Sequence, residues 1–262
     1  MNVLMIGDVI GKPGRKAVAA LLPALRRELA LDFVIANGEN AAAGRGLTEA
    51  TAQALFDAGV DALTSGNHIW DQKEIFAALD EDRPILRPLN YPPGVPGRGV
   101  LTQAGVTVIN LQGRTFMPAI DCPFQAADAA LERLPDSAVI VVDMHCEATS
   151  EKQGMGRYLD GRVAAVVGTH THVPTADAQL LPGGTAYVTD LGMVGPRDSI
   201  IGNEIEPAIQ RFLTAMPARF PVAERSMTVQ FNSVVIDIDE ATGRARSISR
   251  VDREYEREGE RW

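Results

Sequence analysis

The sequence predicts an α/β fold built on a largely parallel sheet. Short β-rich segments alternate with segments of helical periodicity along the first 80 residues, as in NVLMIGD followed by PGRKAVAALLPALRREL. This alternation is typical of βα units. The length is the second observation, because 262 residues can bury a substantial core. We expect one domain over residues 1–262 rather than two small ones.

The amino-terminal part contains three predicted βα units. Each strand, NVLMIGD, DFVIAN and DALTSGN, is followed by a predicted helix, PGRKAVAALLPALRREL, LTEATAQALFDAG and DQKEIFAALDE in turn. The first helix has Pro13 near its start and apolar residues at helical spacing. We therefore expect three neighbouring parallel strands.

The rest of the chain mixes loops, hairpins and further βα units. RPLNYPPGVPGRGV is predicted to be a surface loop, and GVLTQAGVTVINL two strands around a Gln-Ala-Gly turn. The helix PFQAADAALERL precedes the strand AVIVVDMH, and the helix SEKQGMGRYLDG precedes VAAVVGTH. We expect a hairpin in AQLLPGGTAYVTD, a helix near PAIQRFLTAM, β-structure in MTVQFNSVVIDID and RARSISRVD, and a solvated end in DREYEREGERW.

Composition excludes several classes of partner. The formal net charge of −9 leaves no broad basic face for a nucleic-acid polymer, although a small anion bound through metals is compatible with it. The sequence has neither a signal-peptide pattern nor an apolar stretch of membrane-spanning length. Cys122 and Cys146 form neither a disulfide framework nor a zinc knuckle, which favours a cytoplasmic location.

Polar residues follow the predicted strands directly. In open α/β sheets, ligands bind outside the carboxyl ends of the strands. The residues at these positions are Asp8, Glu39, Asn40, Asn67, His68, His145, His170 and His172. All four histidines of the chain belong to this set, which a random scatter of histidines would rarely produce.

Each of these residues alone also has a structural explanation. Asp8 is compatible with a turn, and Asn67 with a left-handed residue after Gly66. Glu39 and Asn40 lie in a glycine-containing polar loop, and His145 is compatible with a core histidine. Downstream, Asp71 and Glu74 resemble a capping box of the following helix.

The number and type of the side chains favour a pair of metal ions. In extended chain His170 and His172 would point to the same side, so that one metal could take both or two neighbouring metals one each. Seven candidate ligands, the eight residues without His68, are too many for one four-coordinate zinc. Imidazole, carboxylate and amide donors suit iron or manganese at least as well as zinc.

The ordered segments GDVI, NGEN, SGNHIWD, DMHCE and GTHTH resemble the motifs of the calcineurin-like metallophosphoesterases. Ile10 stands where that family has a histidine ligand, and Glu39 replaces its bridging aspartate. These departures, with GDVIGKPGR, GENAAAGRGLT, HCEATSEK and TDLGMVGPRDSIIG, resemble the YmdB branch, which contains bacterial cyclic-nucleotide phosphodiesterases.

The resemblance implies a four-layer α-β-β-α sandwich of two mixed sheets flanked by helices, with a dinuclear centre at one edge. It implies two divalent or mixed-valence transition-metal ions per chain, iron first, then manganese, then zinc. One ion would be held by Asp8, Glu39, Asn40 and His172, and the other by Glu39, Asn67, His145 and His170. Glu39 would bridge the two, and Asn40 would replace the missing histidine.

The leading functional hypothesis is hydrolysis of a phosphodiester by a metal-bound hydroxide, with a 2′,3′- or 3′,5′-cyclic nucleotide as substrate. His68 would serve the leaving oxygen, Asp71 would orient His68, and Arg45 would contact the phosphate. A phosphomonoesterase or protein phosphatase is the second hypothesis. A metal-binding regulatory protein without turnover is the third. A homo-oligomer is compatible with all three.

Overall fold

The structure is a computed structural model, and it describes residues 1–135 and 139–257. The first residue of the predicted strand AVIVVDMH and the last five residues of the chain lie outside the described part. Six helices are described: α1 Gly11–Glu28, α2 Glu49–Asp57, α3 Ile75–Asp80, α4 Pro123–Leu131, α5 Thr149–Tyr158 and α6 Ile205–Thr214. None of the helices in these two ranges is both long and apolar enough to cross a membrane.

The same residues form fourteen strands. Those of the first half are β1 Asn2–Val9, β2 Phe33–Asn37, β3 Ala62–Thr64, β4 Val100–Gln103, β5 Val106–Gln112, β6 Val139–His145 and β7 Ala165–Thr169. Those of the second half are β8 Gln179–Leu180, β9 Ala186–Val188, β10 Met193–Pro196, β11 Thr228–Phe231, β12 Ser233–Asp239, β13 Arg244–Arg250 and β14 Arg253–Glu256.

The strands form two mixed sheets. In the first sheet β1, β2 and β3 are parallel neighbours, as the three βα units predict. The other edge of β1 pairs with antiparallel β12 over its first residues and with parallel β10 at its end. The second sheet has the order β4-β5-β6-β7-β9-β8, in which β5, β6, β7 and β9 are parallel.

Buried apolar side chains pack in three clusters between four layers of sheets and helices. Alternate residues of β1 point to opposite faces, so Leu4 and Ile6 pack with α1 and α2, whereas Val3 and Met5 pack between the two sheets. A third apolar cluster lies between the second sheet and helices α4 and α5. Helices therefore cover both outer faces, and the prediction of a four-layer α-β-β-α sandwich is confirmed.

The carboxyl-terminal part differs from the prediction at three places. The segment MTVQFNSVVIDID is two strands, because β11 pairs with β10 and β14 whereas β12 pairs with β1 and β13. Strand β10 was not predicted, because it contains glycine and proline, which are unfavourable in strands. In the structure it pairs with β1 on one side and with β11 on the other. The segment predicted as a solvated end has largely exposed side chains from Arg253 to Glu256, but these residues also form β14, an unpredicted strand whose backbone pairs with β11.

Candidate metal centre

The ends of strands from both sheets meet at one edge of the sandwich. Strands β1, β2 and β3 lead to Asp8, Glu39 and Asn67 on one side. Strands β6 and β7 lead to His145 and His170 on the other. Residues separated by more than 160 positions in the chain thereby come into contact, as shown by the hydrogen bond of 3.1 Å from the backbone amide of His170 to Asp8 Oδ2.

One group of donor side chains surrounds His145. Its Nε2 atom lies 3.0 Å from Glu39 Oε1, 3.0 Å from His170 Nδ1 and 3.3 Å from Asn67 Oδ1. Ligand atoms of Glu39, His145 and His170 all lie within 4.8 Å of one another, close enough to hold a single cation. A Cβ atom on Gly66 would lie 1.9 Å from the His145 ring, so only glycine allows the loop before Asn67 to approach it.

A second group of donor side chains lies on the other side of Glu39. His172 Nε2 is 3.2 Å from the Asn40 amide and 3.7 Å from Asp8 Oδ1. The other ring nitrogen of His172 donates to the Ile201 carbonyl at 2.8 Å, which leaves Nε2 as the nitrogen available to a metal. This group has the donor chemistry of a second cation site.

Glu39 lies between the two groups. Its Oε1 atom is 3.0 Å from His145 Nε2 and 3.5 Å from the Asn40 amide nitrogen. Its Oε2 atom accepts a hydrogen bond of 2.9 Å from the backbone amide of His68. The side chain is completely buried, so this carboxylate is available to both groups and hardly to solvent.

The residues present fit bound metal. Asp8 Oδ1 is buried and has no hydrogen-bond partner among the described residues, which is costly for a carboxylate oxygen unless a cation binds it. The surrounding donors are imidazole nitrogens and carboxylate or amide oxygens, the set that suits iron, manganese or zinc. The seven predicted ligands are thus brought together, and their division between two ions is a proposal taken up below.

The backbone that carries His170 and His172 is not extended, contrary to the expectation used to orient them. The φ angles of the two residues are 100° and 64°, in the left-handed region that non-glycine residues rarely adopt. Their rings consequently point to different neighbours, His145 for the first and Asn40 for the second. Such conformations cost about 1–3 kcal/mol each and persist only where surrounding contacts enforce them.

One enforcing contact is a buried ion pair that sequence reasoning missed. Lys152 Nζ lies 2.6 Å from Asp190 Oδ2, and both side chains are almost completely buried. The same Oδ2 atom accepts a hydrogen bond of 3.1 Å from the amide of Thr171, the residue between the two histidines. Asp190 Oδ1 accepts from Gly192 at 2.8 Å. The ion pair therefore holds the loop that carries two candidate ligands.

A buried chain of hydrogen bonds orients His145, and it too was missed. Thr169 donates to Asp143 Oδ1 at 2.7 Å, so its oxygen accepts from Nδ1 of His145 at 2.9 Å. This directs Nε2 of the imidazole towards Glu39. The signal in the sequence was Asp143 itself, a charged residue inside an apolar strand and two positions before His145, hence on the same face.

His68 lies beside the donor groups but contacts them only through its backbone. Its Nδ1 atom is 2.9 Å from Asp71 Oδ2, and Arg45 Nε lies 3.6 Å from the same carboxylate oxygen. The capping alternative for Asp71 is wrong, because α3 begins at Ile75 after Glu74, which makes no side-chain cap. Nε2 is therefore the His68 nitrogen that is free to meet a ligand.

His68, Arg45 and part of the two donor groups border one open cavity of about 790 Å³. Its lining comprises Glu39, Asn40, Gly44, Arg45, His68, Glu147, His170, Thr171, His172, Ile201, Asn203, Ala218, Arg219, Phe220 and Pro221. The cavity has room for a nucleotide-sized ligand above the two donor groups. Glu147, which was not predicted, lies 3.2 Å from His170 Nε2 at its edge.

The charged side chains of the two donor groups shift one another's pKa values. Burial raises the pKa of Asp8 to about 6. Burial would also raise the pKa of Glu39, but the attraction to His145 outweighs the effect of burial and lowers this pKa to about 2. Burial alone would lower the pKa of His145, but Glu39 and Asp8 raise it to about 9. For His170, burial and the neighbouring His145 lower the pKa to about 3.

Metal binding to the metal-free protein is expected to release about one proton per chain at pH 7. His145, whose pKa is about 9, holds a proton at this pH that a metal must displace, whereas His170 is already neutral. The apparent affinity should rise with pH up to about 9, and should fall further below pH 6 as Asp8 also takes a proton.

The proton count is measured by titrating Mn²⁺ into chelator-treated protein in two buffers of different ionisation enthalpy. The variant His68→Ala is the matched control and should release the same number of protons, because its missing ring lies outside both donor groups. A heat of binding that is identical in the two buffers would show that no proton is released and that His145 is neutral before binding.

Two facing mixed sheets with clustered histidine, carboxylate and amide side chains at one edge define a metallophosphoesterase. The comparisons with known proteins agree with this class. The chain belongs to the YmdB-like family, whose sequence model, described as YmdB-like protein, matches residues 4–251. The predictions of this family, of its fold and of a phosphoester-hydrolysing enzyme are confirmed at the level of the family.

Three similar proteins span nearly the whole chain. The 2′,3′-cyclic-nucleotide 2′-phosphodiesterase of Bacillus subtilis (strain 168) is 50% identical over 256 residues, 96% of each chain. A solved structure of a hypothetical protein from Thermus thermophilus is 46% identical, with a TM-score of 0.91 and coverage of 97% of this chain and 99% of that one. A solved phosphatase from Mycoplasma pneumoniae is 33% identical, with a TM-score of 0.91 and coverage of 98% and 94%.

Proposed function

We propose that this chain is a metal-dependent phosphodiesterase that hydrolyses 2′,3′-cyclic nucleotides. The observation that carries the proposal is the position of buried Glu39 between two groups of metal-type donors on the floor of a cavity, with His68 beside them. The name of the Bacillus subtilis relative supports the choice of the 2′,3′-cyclic isomer. The substrate is accordingly a small nucleotide.

In this proposal two ions are held at the cavity floor. Asp8, Glu39, Asn40 and His172 would hold one ion, and Glu39, Asn67, His145 and His170 would hold the other. When bound, such ions neutralise charge on the phosphoryl oxygens and activate water. Iron is our first choice of metal, followed by manganese and zinc, because the donors combine imidazole with oxygen and lack thiolate.

The residues around the floor have separate tasks. Hydrolysis adds water across the bond between phosphorus and O2′, so the departing O2′ must gain a proton. His68 supplies that proton from Nε2, while Asp71 holds Nδ1 at 2.9 Å and thereby fixes the tautomer and the orientation of the ring. Arg45, which lines the cavity and is largely exposed, contacts the phosphate oxygens of the bound substrate.

Rates on a panel of esters test the proposal. Metal-replete protein, its metal content measured by elemental analysis, is assayed on 2′,3′-cyclic AMP, 3′,5′-cyclic AMP, bis(p-nitrophenyl) phosphate and p-nitrophenyl phosphate. We expect the highest kcat/KM on 2′,3′-cyclic AMP, 3′-AMP as product, loss of activity on chelation and recovery with added metal. A preference for the monoester would identify a phosphatase instead, and inactivity on all four would favour a non-catalytic metal protein.

A further inference from the structure

One wall of the cavity belongs to neither donor group and has no task in the proposed chemistry. It consists of the segment after β10, with Ile201 and Asn203, and of the segment after α6, from Ala218 to Pro221. Phe220 presents a phenyl ring there that is 45% exposed. The exposed part of this ring is apolar surface in contact with water, and a ligand that covered it would gain the free energy of burying that surface.

The position of Phe220 relative to the donor groups is set by backbone pairing. The amide of Glu204 donates to the Pro221 carbonyl at 2.9 Å, and Asn203 forms an antiparallel bridge with Val222. Phe220 directly precedes this paired segment. The loop on the other side of the pairing contains Ile201, whose carbonyl accepts a hydrogen bond of 2.8 Å from His172. The same loop therefore positions both Phe220 and the candidate ligand His172.

A second support links the wall to the loop after Asn40. Val222 is buried and packs against Ile10 and Met193. A Cβ atom on Gly44 would lie 2.6 Å from Val222 Cγ2, so the Gly44 backbone packs directly on that side chain. Phe220, two residues from Val222, is therefore placed by contacts with both sides of the cavity floor, which makes the wall suitable for positioning a ligand.

A nucleotide bound through its phosphate at the cavity floor extends its base away from that floor. The face of every base is an aromatic surface, and stacking on an aromatic side chain contributes about 1–3 kcal/mol per base with little dependence on sequence. We propose, as an inference that rests on the proposed function, that Phe220 stacks on the nucleotide base and forms a base subsite. The enzyme then prefers nucleoside cyclic phosphates to base-free ones and accepts different bases.

The test compares Phe220→Ala with the unchanged enzyme on two five-membered cyclic phosphates, 2′,3′-cyclic AMP and base-free glycerol 1,2-cyclic phosphate. We expect KM for 2′,3′-cyclic AMP to rise by roughly 5- to 150-fold with kcat little changed, and KM for the base-free ester to stay the same. Phe220→Trp should keep the low KM. The matched control, Phe212→Ala, removes an equally apolar and 79% exposed ring on α6 that does not line the cavity, and should change neither value.

Binding of the mononucleotide 3′-AMP by calorimetry separates this inference from the proposed function. Phe220→Ala should weaken 3′-AMP binding by the same factor and leave the binding of inorganic phosphate unchanged. An unchanged KM for 2′,3′-cyclic AMP, or an equal rise for both esters, would overturn the base subsite. If the unchanged enzyme does not cleave 2′,3′-cyclic AMP, the proposed function fails, and the 3′-AMP measurement alone decides on Phe220.

Discussion

Replacement of His68 with alanine is expected to lower kcat on 2′,3′-cyclic AMP by about 10²- to 10⁴-fold, the range for a lost general acid. Metal content and fold should stay intact, because the ring of His68 contacts Asp71 rather than the donor groups. The backbone amide that donates to Glu39 is retained in the variant. Steady-state kinetics together with elemental analysis measure both parts of the expectation.

The size of the effect should depend on the leaving group. On bis(p-nitrophenyl) phosphate the variant should lose much less activity, because p-nitrophenolate departs without a proton. The matched control is His170→Ala, which removes a candidate ligand and should lower metal occupancy as well as rate on both substrates. Full activity of His68→Ala on the cyclic nucleotide would remove His68 from the mechanism, and loss of a metal would make it a ligand.

Replacement of Lys152 with methionine is expected to lower the free energy of unfolding by about 3–5 kcal/mol, because it leaves the Asp190 carboxylate buried without its partner. For a chain of this size the loss corresponds to a fall in Tm of roughly 6–20 °C. Metal affinity should fall too, since Asp190 holds Thr171 between His170 and His172. Thermal unfolding and metal titration measure the two effects.

Two further variants separate the buried pair from ordinary surface charge. Arg246→Met removes a half-exposed partner of Asp237 and should cost less than about 1 kcal/mol. The double variant Lys152→Met with Asp190→Asn removes the unpaired charge, keeps an oxygen for the Thr171 amide, and should recover part of the stability. A Tm of Lys152→Met equal to that of Arg246→Met would show that the ion pair does not stabilise the fold.

Most of the candidate site could be predicted because its residues occupy strand ends. An apolar strand followed by a polar residue is a local pattern, and parallel strands bring their carboxyl ends to one edge. Asp8, Asn67, His145 and His170 were found in this way, and the first three strands are parallel neighbours as expected. The order of the motifs then indicated the family, its four-layer fold and the division of the ligands.

The sequence by itself therefore determined the fold class, the family and the residues that meet at one edge of the sandwich. Only the tertiary structure decided how those residues are held. The left-handed backbone of His170 and His172 depends on Asp8 and Asp190, and the use of β14 as a strand depends on an open edge of β11. Lys152, which has an ordinary helical setting in the sequence, is buried because Asp190 lies opposite it. These features arise from contacts between distant segments, and no local pattern of apolar and polar residues encodes such contacts.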